Sequence, residues 1–131
     1  MDLGFHLVLI AGLAHLVAQV AKCVGNNRLV YVCDGGMPSG HAATVAALAA
    51  GILLLDGASA GFAIAFVLAL IVMHDAMHVR SEVGRHAVIL NKMQQKVHCK
   101  EAVGHSLVQV LAGALLGIVV AGLYVFFLRF L

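Results

Sequence analysis

Charge is what this chain has least of. Only 11% of its 131 residues are Asp, Glu, Lys or Arg, and 63% are hydrophobic, whereas charged residues make up about 25% of a soluble domain. That shortage argues against water as the surrounding solvent and for lipid. Paired cysteine is missing too: Cys23, Cys33 and Cys99 form no CxxC motif, and their odd number argues against a disulfide framework. They read as small apolar filler. There is no basic tract either. The formal charge is +2 and the Lys and Arg residues are separated by apolar runs, so nothing calls for a nucleic-acid partner. Proline occurs once, at Pro38, and neither an internal repeat nor a low-complexity tract is evident. The length suits a single domain over 1–131.

Apolar runs are what the chain has in abundance. About 20 such residues, each rising 1.5 Å, cross a hydrocarbon core about 30 Å thick. Four runs read as spans: Leu3 to Val24, Ala42 to Leu55, Ala58 to Val79 and Gly104 to Leu131. The first opens with Asp2 rather than a basic segment, which favours a permanent span over a signal peptide. The second is short and fits a helix that is tilted or packed among the others. Arg80 to Val103 is more polar, with Val83, Ala87, Leu90 and Val97 in an imperfect helical stripe, the pattern of an amphipathic helix on a membrane surface. The expected fold is therefore all-α: an integral membrane helical bundle of about four transmembrane helices plus one interfacial helix. Lys22, Arg28, Arg80, Arg85, Lys92, Lys96 and Lys100 all follow the first or third span. The positive-inside rule makes that side cytoplasmic in a multi-pass protein, although charges gathered to hold a phosphate would cluster the same way. Gly113 and Gly117, four apart, read as a helix-packing face, and small residues on helix faces leave a homo-oligomer open.

The only proline lies in Gly35-Gly36-Met37-Pro38-Ser39-Gly40-His41-Ala42-Ala43, just before the second span on the charged side. Gly104-His105 stands on the same side before the last. Two histidines therefore sit at two helix N-termini, where unpaired N–H groups and the positive dipole end favour an anion. Pro38 stiffens the turn, and the glycines permit positive φ or close approach of backbone to a ligand. Ser39 can cap the helix or donate to an oxyanion. With Lys22, Arg28, Arg80 and Lys100 at similar depth, the ensemble suits phosphate.

Three ordered blocks carry a resemblance: GGMPSGHAA (35–43), HDAMHVRSEVGRHAVILN (74–91) and KEAVGHSLVQVLAG (100–113). Together they resemble the divergent branch of the type-2 phosphatidic acid phosphatase superfamily, to which vanadium-dependent haloperoxidases also belong, over about Gln19 to Gly117. The resemblance implies metal-independent, cofactor-free hydrolysis of a phosphomonoester or pyrophosphate at the bilayer, with a membrane lipid phosphate as substrate. His105 matches the histidine that attacks phosphorus, and His41 the one that protonates the leaving oxygen. One imidazole must then be neutral while the other is charged, which an ordinary pKa near 6.5 allows close to neutral pH.

The chain also departs from the superfamily. Lys22 is followed by five residues and then Arg28-Leu29, not by six and Arg-Pro; Cys99 stands where an arginine would, and Gln109 at the acid position. Gln109 can accept a hydrogen bond from His105 but carries no charge; Asp75 and Glu101 are the candidates to substitute. Arg80 and Lys100 are candidates for the displaced phosphate ligands, beside Lys22, Ser39 and Gly40. Asp75, expensive near the end of a span, calls for a partner such as Arg80 or Lys22. His74 and His78, four apart, have metal-ligand spacing, but polar lining is the commoner reason for such a pair. A second function class stays open on these departures: a non-catalytic membrane protein that keeps the pocket as a binding or assembly module. A metal or proton pathway through the excess histidines is a third.

Overall fold

The structure, a computed structural model, describes residues 2–25, 36–93, 98–101 and 103–130. Arg28, Cys33, Gly35, Lys96 and Val97 lie outside the described residues. Every described element is helical: α1 (Leu3–Gly25), α2 (Gly40–Asp56), α3 (Ala60–Met77), α4 (Val79–Met93) and α5 (Leu107–Leu128). Three of these helices begin just after a serine. Ser39, Ser59 and Ser106 each accept, through the side-chain oxygen, the N–H three residues on, satisfying one of the donors a helix start leaves unpaired. The caps explain the shifted boundaries. The second span starts at Gly40 rather than Ala42, the third at Ala60 rather than Ala58, and the last at Leu107 rather than Gly104.

The expected surface helix is shorter than Arg80 to Val103. α4 ends at Met93, and the Asn91 side chain holds the returning backbone: its Oδ1 accepts the Cys99 N–H at 2.7 Å and its Nδ2 donates to the Cys99 carbonyl at 2.8 Å. An amide that pairs both backbone groups of one residue acts as a substitute helix neighbour, so residues 98–101 run beside α4 instead of extending it. α4 is amphipathic as expected, burying Gly84 and Ala87.

α2 is the central helix and packs against α1, α3 and α5. Its buried face consists of Gly40, Ala42, Ala43, Ala46, Ala47, Ala49, Gly51 and Ile52. α5 meets it with Gly113 and Gly117. A Cβ on Gly113 would run into the Ser39 backbone, and one on Gly117 into the Ala43 carbonyl and, at 2.9 Å, the Ala47 nitrogen. Side chains this small let two backbones touch, the packing by which helices associate in lipid without a hydrophobic driving force between them. Ile10, Ala14, Ala47, Ala121 and Val125 close one core cluster, while Ala42, Ala76 and Val110 close another below the charged side.

The outward faces are bare. Ile64, Ile71, Leu111 and Leu115 are each more than half exposed, an arrangement that water punishes and lipid does not. By length and composition 3–24, 60–93 and 107–128 are long and apolar enough to cross a bilayer, with α2 a shorter apolar helix. The chain is an all-helical membrane bundle.

The α2–α5 contact yields a test. Gly113→Ala and Gly117→Ala force two backbones apart and are expected to destabilise the fold by about 1–3 kcal/mol. Gly122→Ala, with nothing within 4 Å of the added carbon, is expected to be close to neutral. Thermal unfolding in detergent, comparing all three with the parent chain, checks the contrast.

Candidate functional site

Two helix starts meet at the charged side. The Ser39 N–H donates to the Gln109 carbonyl at 3.0 Å, tying the cap of α2 to the first turn of α5, and the His105 N–H donates to the Ala76 carbonyl near the end of α3 at 3.1 Å. Ser39 itself is wholly buried, and its Oγ accepts the Ala42 N–H at 3.4 Å. The loop before α5 is pressed down from the other side as well. A Cβ on Gly104 would collide with Ser81, and one on Gly84 with the Glu101 carbonyl. His105 therefore sits, nearly buried at 7% exposure, between α3, α4 and α5.

The hydrogen bonds of His105 determine its tautomer. Gln109 Oε1 accepts the Ser106 N–H at 3.0 Å and also lies 3.2 Å from His105 Nδ1. An atom already accepting from a backbone N–H is the amide oxygen, so Nδ1 must be the donor. The lone pair is left on Nε2. Ser106 returns the contact, its side chain accepting the Gln109 N–H at 3.3 Å, so the amide oxygen that meets His105 is also one half of a capping box. Burial holds the His105 pKa below its ordinary value; the Gln109 hydrogen bond opposes this, and the charges of Lys22 and Arg80 add to the lowering.

His41 lies in the first turn of α2 with an exposed side chain. Arg80, His105, His15 and Lys22 all lie within electrostatic reach of it. Lys22, near the end of α1, is only 5% exposed, and its Nζ stands 3.7 Å from where a Gly40 Cβ would be. Ser39, Gly40, His41, Lys22, Arg80, His105 and Gln109 are thus drawn from four elements to one place. The remaining candidates are engaged otherwise. Asp75 faces Arg80, Oδ2 to Nε 3.5 Å, with both side chains nearly half exposed. Glu101 accepts the Asn91 amide at 2.8 Å, although it shares with His105, Ser81 and Arg85 an open recess of about 470 Å³. Lys100 is exposed. The bond to His105 comes from Gln109.

His74 and His78 stack at 4.2 Å between ring centres, and the His78 ring Nδ1 donates to the His74 carbonyl at 3.3 Å. Among the described residues no group of three or more His, Cys, Asp or Glu side chains is arranged to hold a metal. Sequence reasoning overlooked four supports: Asn91, Ser81, Ala76 and the pair His15–Thr44. None of them carries a sequence signal of that role.

Taken together, the fold and the site describe a helical membrane protein with imidazoles, cations and helix-end N–H groups converging at one end of the bundle. The chain belongs to the divergent PAP2 family, whose family model matches residues 4–120, as the resemblance over about Gln19 to Gly117 implied. It is similar to the uncharacterized membrane protein YuiD of Bacillus subtilis (strain 168), 30% identical over 156 residues, an alignment taking in 97% of this chain and 99% of the relative. No solved structure matches.

The His105 environment can be read directly. Its lowered pKa means that the imidazole stays neutral below its ordinary titration near 6.5, so whatever stability it contributes is full above that pH and declines as pH falls through it. In NMR of histidine-labelled protein, His105 is expected to be the Nδ1–H tautomer at neutral pH with a midpoint below 6.5. Gln109→Glu adds an anion beside the ring and is expected to move the midpoint upward. A midpoint unmoved by that change counts against the bond.

Proposed function

We propose that the protein is a multi-pass integral-membrane phosphatase, its site on the cytoplasmic face, that hydrolyses a lipid phosphate or pyrophosphate through a phosphohistidine. The observation that supports this reading is the joint between the starts of α2 and α5, the Ser39 N–H on the Gln109 carbonyl, with His41 and His105 within electrostatic reach of each other. In the first step Nε2 of His105 attacks phosphorus and the bond to the leaving oxygen breaks, while His41 gives that oxygen its proton. In the second, water attacks the phosphoryl group, the nitrogen–phosphorus bond breaks, and His41 takes the proton back. Lys22, Arg80 and the α2 N-terminus offset charge on the three equatorial oxygens, the contribution expected to dominate phosphoryl transfer.

A lipid substrate suits the setting. Beside the His105 loop, an apolar groove of about 550 Å³ runs between α3 and α5, lined by Met73, Met77, Leu107 and Val110 among others. A tail can lie there while its headgroup meets the basic end.

One observation favours the binding-module reading. Gln109 is uncharged, and the cationic ring formed when Nε2 bonds to phosphorus while Nδ1 keeps its hydrogen receives less stabilisation from it than from a carboxylate. Purified protein assayed against phosphatidate, phosphatidylglycerophosphate and polyprenyl pyrophosphate separates the two. The expected result is phosphate release that vanadate inhibits and that His105→Ala lowers by about a thousandfold or more. Release from none of these lipids by wild-type protein that still binds phosphate replaces the phosphatase with a binding module.

A further inference from the structure

α1 brings more to the site than Lys22. His15, Gln19 and Lys22 follow one another at spacings of four and three along one face of this helix. The outer two both border Gly40, whose Cβ would lie 3.5 Å from His15 Nδ1 and 3.7 Å from Lys22 Nζ. His15 is held in one tautomer. The Thr44 hydroxyl gives its only proton to the Gly40 carbonyl at 2.8 Å, so at 3.2 Å from His15 Nδ1 it can only accept. The other ring nitrogen, Nε2, is then an acceptor. Between these two residues Gln19 buries its side-chain oxygen with no hydrogen-bond partner, the only such buried side-chain atom among the described residues.

A buried acceptor without a donor loses its hydration and recovers nothing until something supplies a proton. Phosphoryl oxygens are themselves acceptors and are repelled by such an atom unless one of them carries hydrogen. We propose that Gln19 is a specificity-determining residue of the site: its Oε1 accepts the P–O–H of a singly protonated phosphoryl group lodged at Gly40, beside Lys22. The inference rests on the reading that the site holds a phosphoryl group and names its form. The ligand class is a phosphomonoester monoanion or inorganic phosphate, both of which have the proton. Diesters and sulfate lack it. Within the hydrolysis outlined above, the attacking water becomes that hydroxyl in the product, so the same acceptor serves the second step.

Pairs of anions equal in charge and differing in this one proton provide the test. At about pH 8 inorganic phosphate and sulfate are both chiefly dianions, and only phosphate carries P–O–H. At about pH 5.5, below a second phosphate pKa near 6, phosphatidate matches the charge of phosphatidylmethanol, a diester. Calorimetry in detergent is expected to show phosphate binding about tenfold tighter than sulfate, the order of one hydrogen bond. Vesicle binding is expected to favour phosphatidate over phosphatidylmethanol to a similar degree if the site serves lipid, whereas preference in the inorganic pair alone assigns it to free phosphate. Gln19→Leu is expected to abolish the preference, and Gln19→Glu, which keeps an acceptor, to retain it. Equal binding within both pairs by the wild type, or an unchanged ratio in Gln19→Leu, overturns the inference. Lipid hydrolysis without any preference overturns it alone; failure to bind any of the four anions overturns it together with the reading beneath it.

Discussion

One backbone hydrogen bond, from the Ser39 N–H to the Gln109 carbonyl, decides where everything else at the charged end can be. It joins two helix starts that lie 70 residues apart in the chain, and it forms only because the backbones of α2 and α5 can touch. The permission comes from Gly113 and Gly117, which leave room for the Ser39 and Ala43 backbones. Had either position held a side chain, the backbones of α2 and α5 would be pushed apart and the joint between their starts strained. The bundle and the site are for this reason one structure: packing in the apolar layer sets geometry in the polar one.

Different parts of this were legible in the sequence for different physical reasons. Apolar runs in a chain with so little charge define helices through length and composition alone, so the order of the apolar helices could be read directly. Boundaries depended on finer chemistry, the capping serines, and those at 39, 59 and 106 shifted each start by two or three residues. The convergence of His41 and His105 could be expected from the shared side of their helices and from the three-block resemblance. Gln109 was legible as a possible partner, but not its double role, since a capping box and a histidine bond use the same amide oxygen only in the folded loop. Asn91 was opaque for the opposite reason: its partner is the backbone of Cys99, and backbone partners leave no mark in a sequence.

In the second block, 74–91, most residues act on the site through the backbone they support. Ser81 and Gly84 supply the floor on which Gly104 and Glu101 rest, Asn91 holds the Cys99 backbone, and the Ala76 carbonyl takes the His105 N–H. Only Arg80 of this block reaches electrostatically toward the histidines. The stretch acts as a brace. It fixes a loop that, standing outside any helix, would otherwise leave its imidazole free to rotate among many positions, and orientation of that kind is what the proposed attack by His105 would require.

The neutral amide at Gln109 then has a physical rationale under the proposed hydrolysis. A carboxylate there would stabilise an imidazolium, but it would also hold a proton on His105 at pH values where the ring must be neutral to attack, and it would set a negative charge beside an incoming phosphate. With an amide the ring keeps its Nδ1–H bond and its orientation, while burial and the cations Lys22 and Arg80 keep Nε2 unprotonated. The forfeited charge stabilisation would be felt in the attack itself, when Nε2 bonds to phosphorus and the ring, keeping its Nδ1–H, becomes cationic. Under that proposal Gln109 trades one requirement against another: a ring that stays neutral and ready to attack, against weaker stabilisation of the charge that attack would create on it.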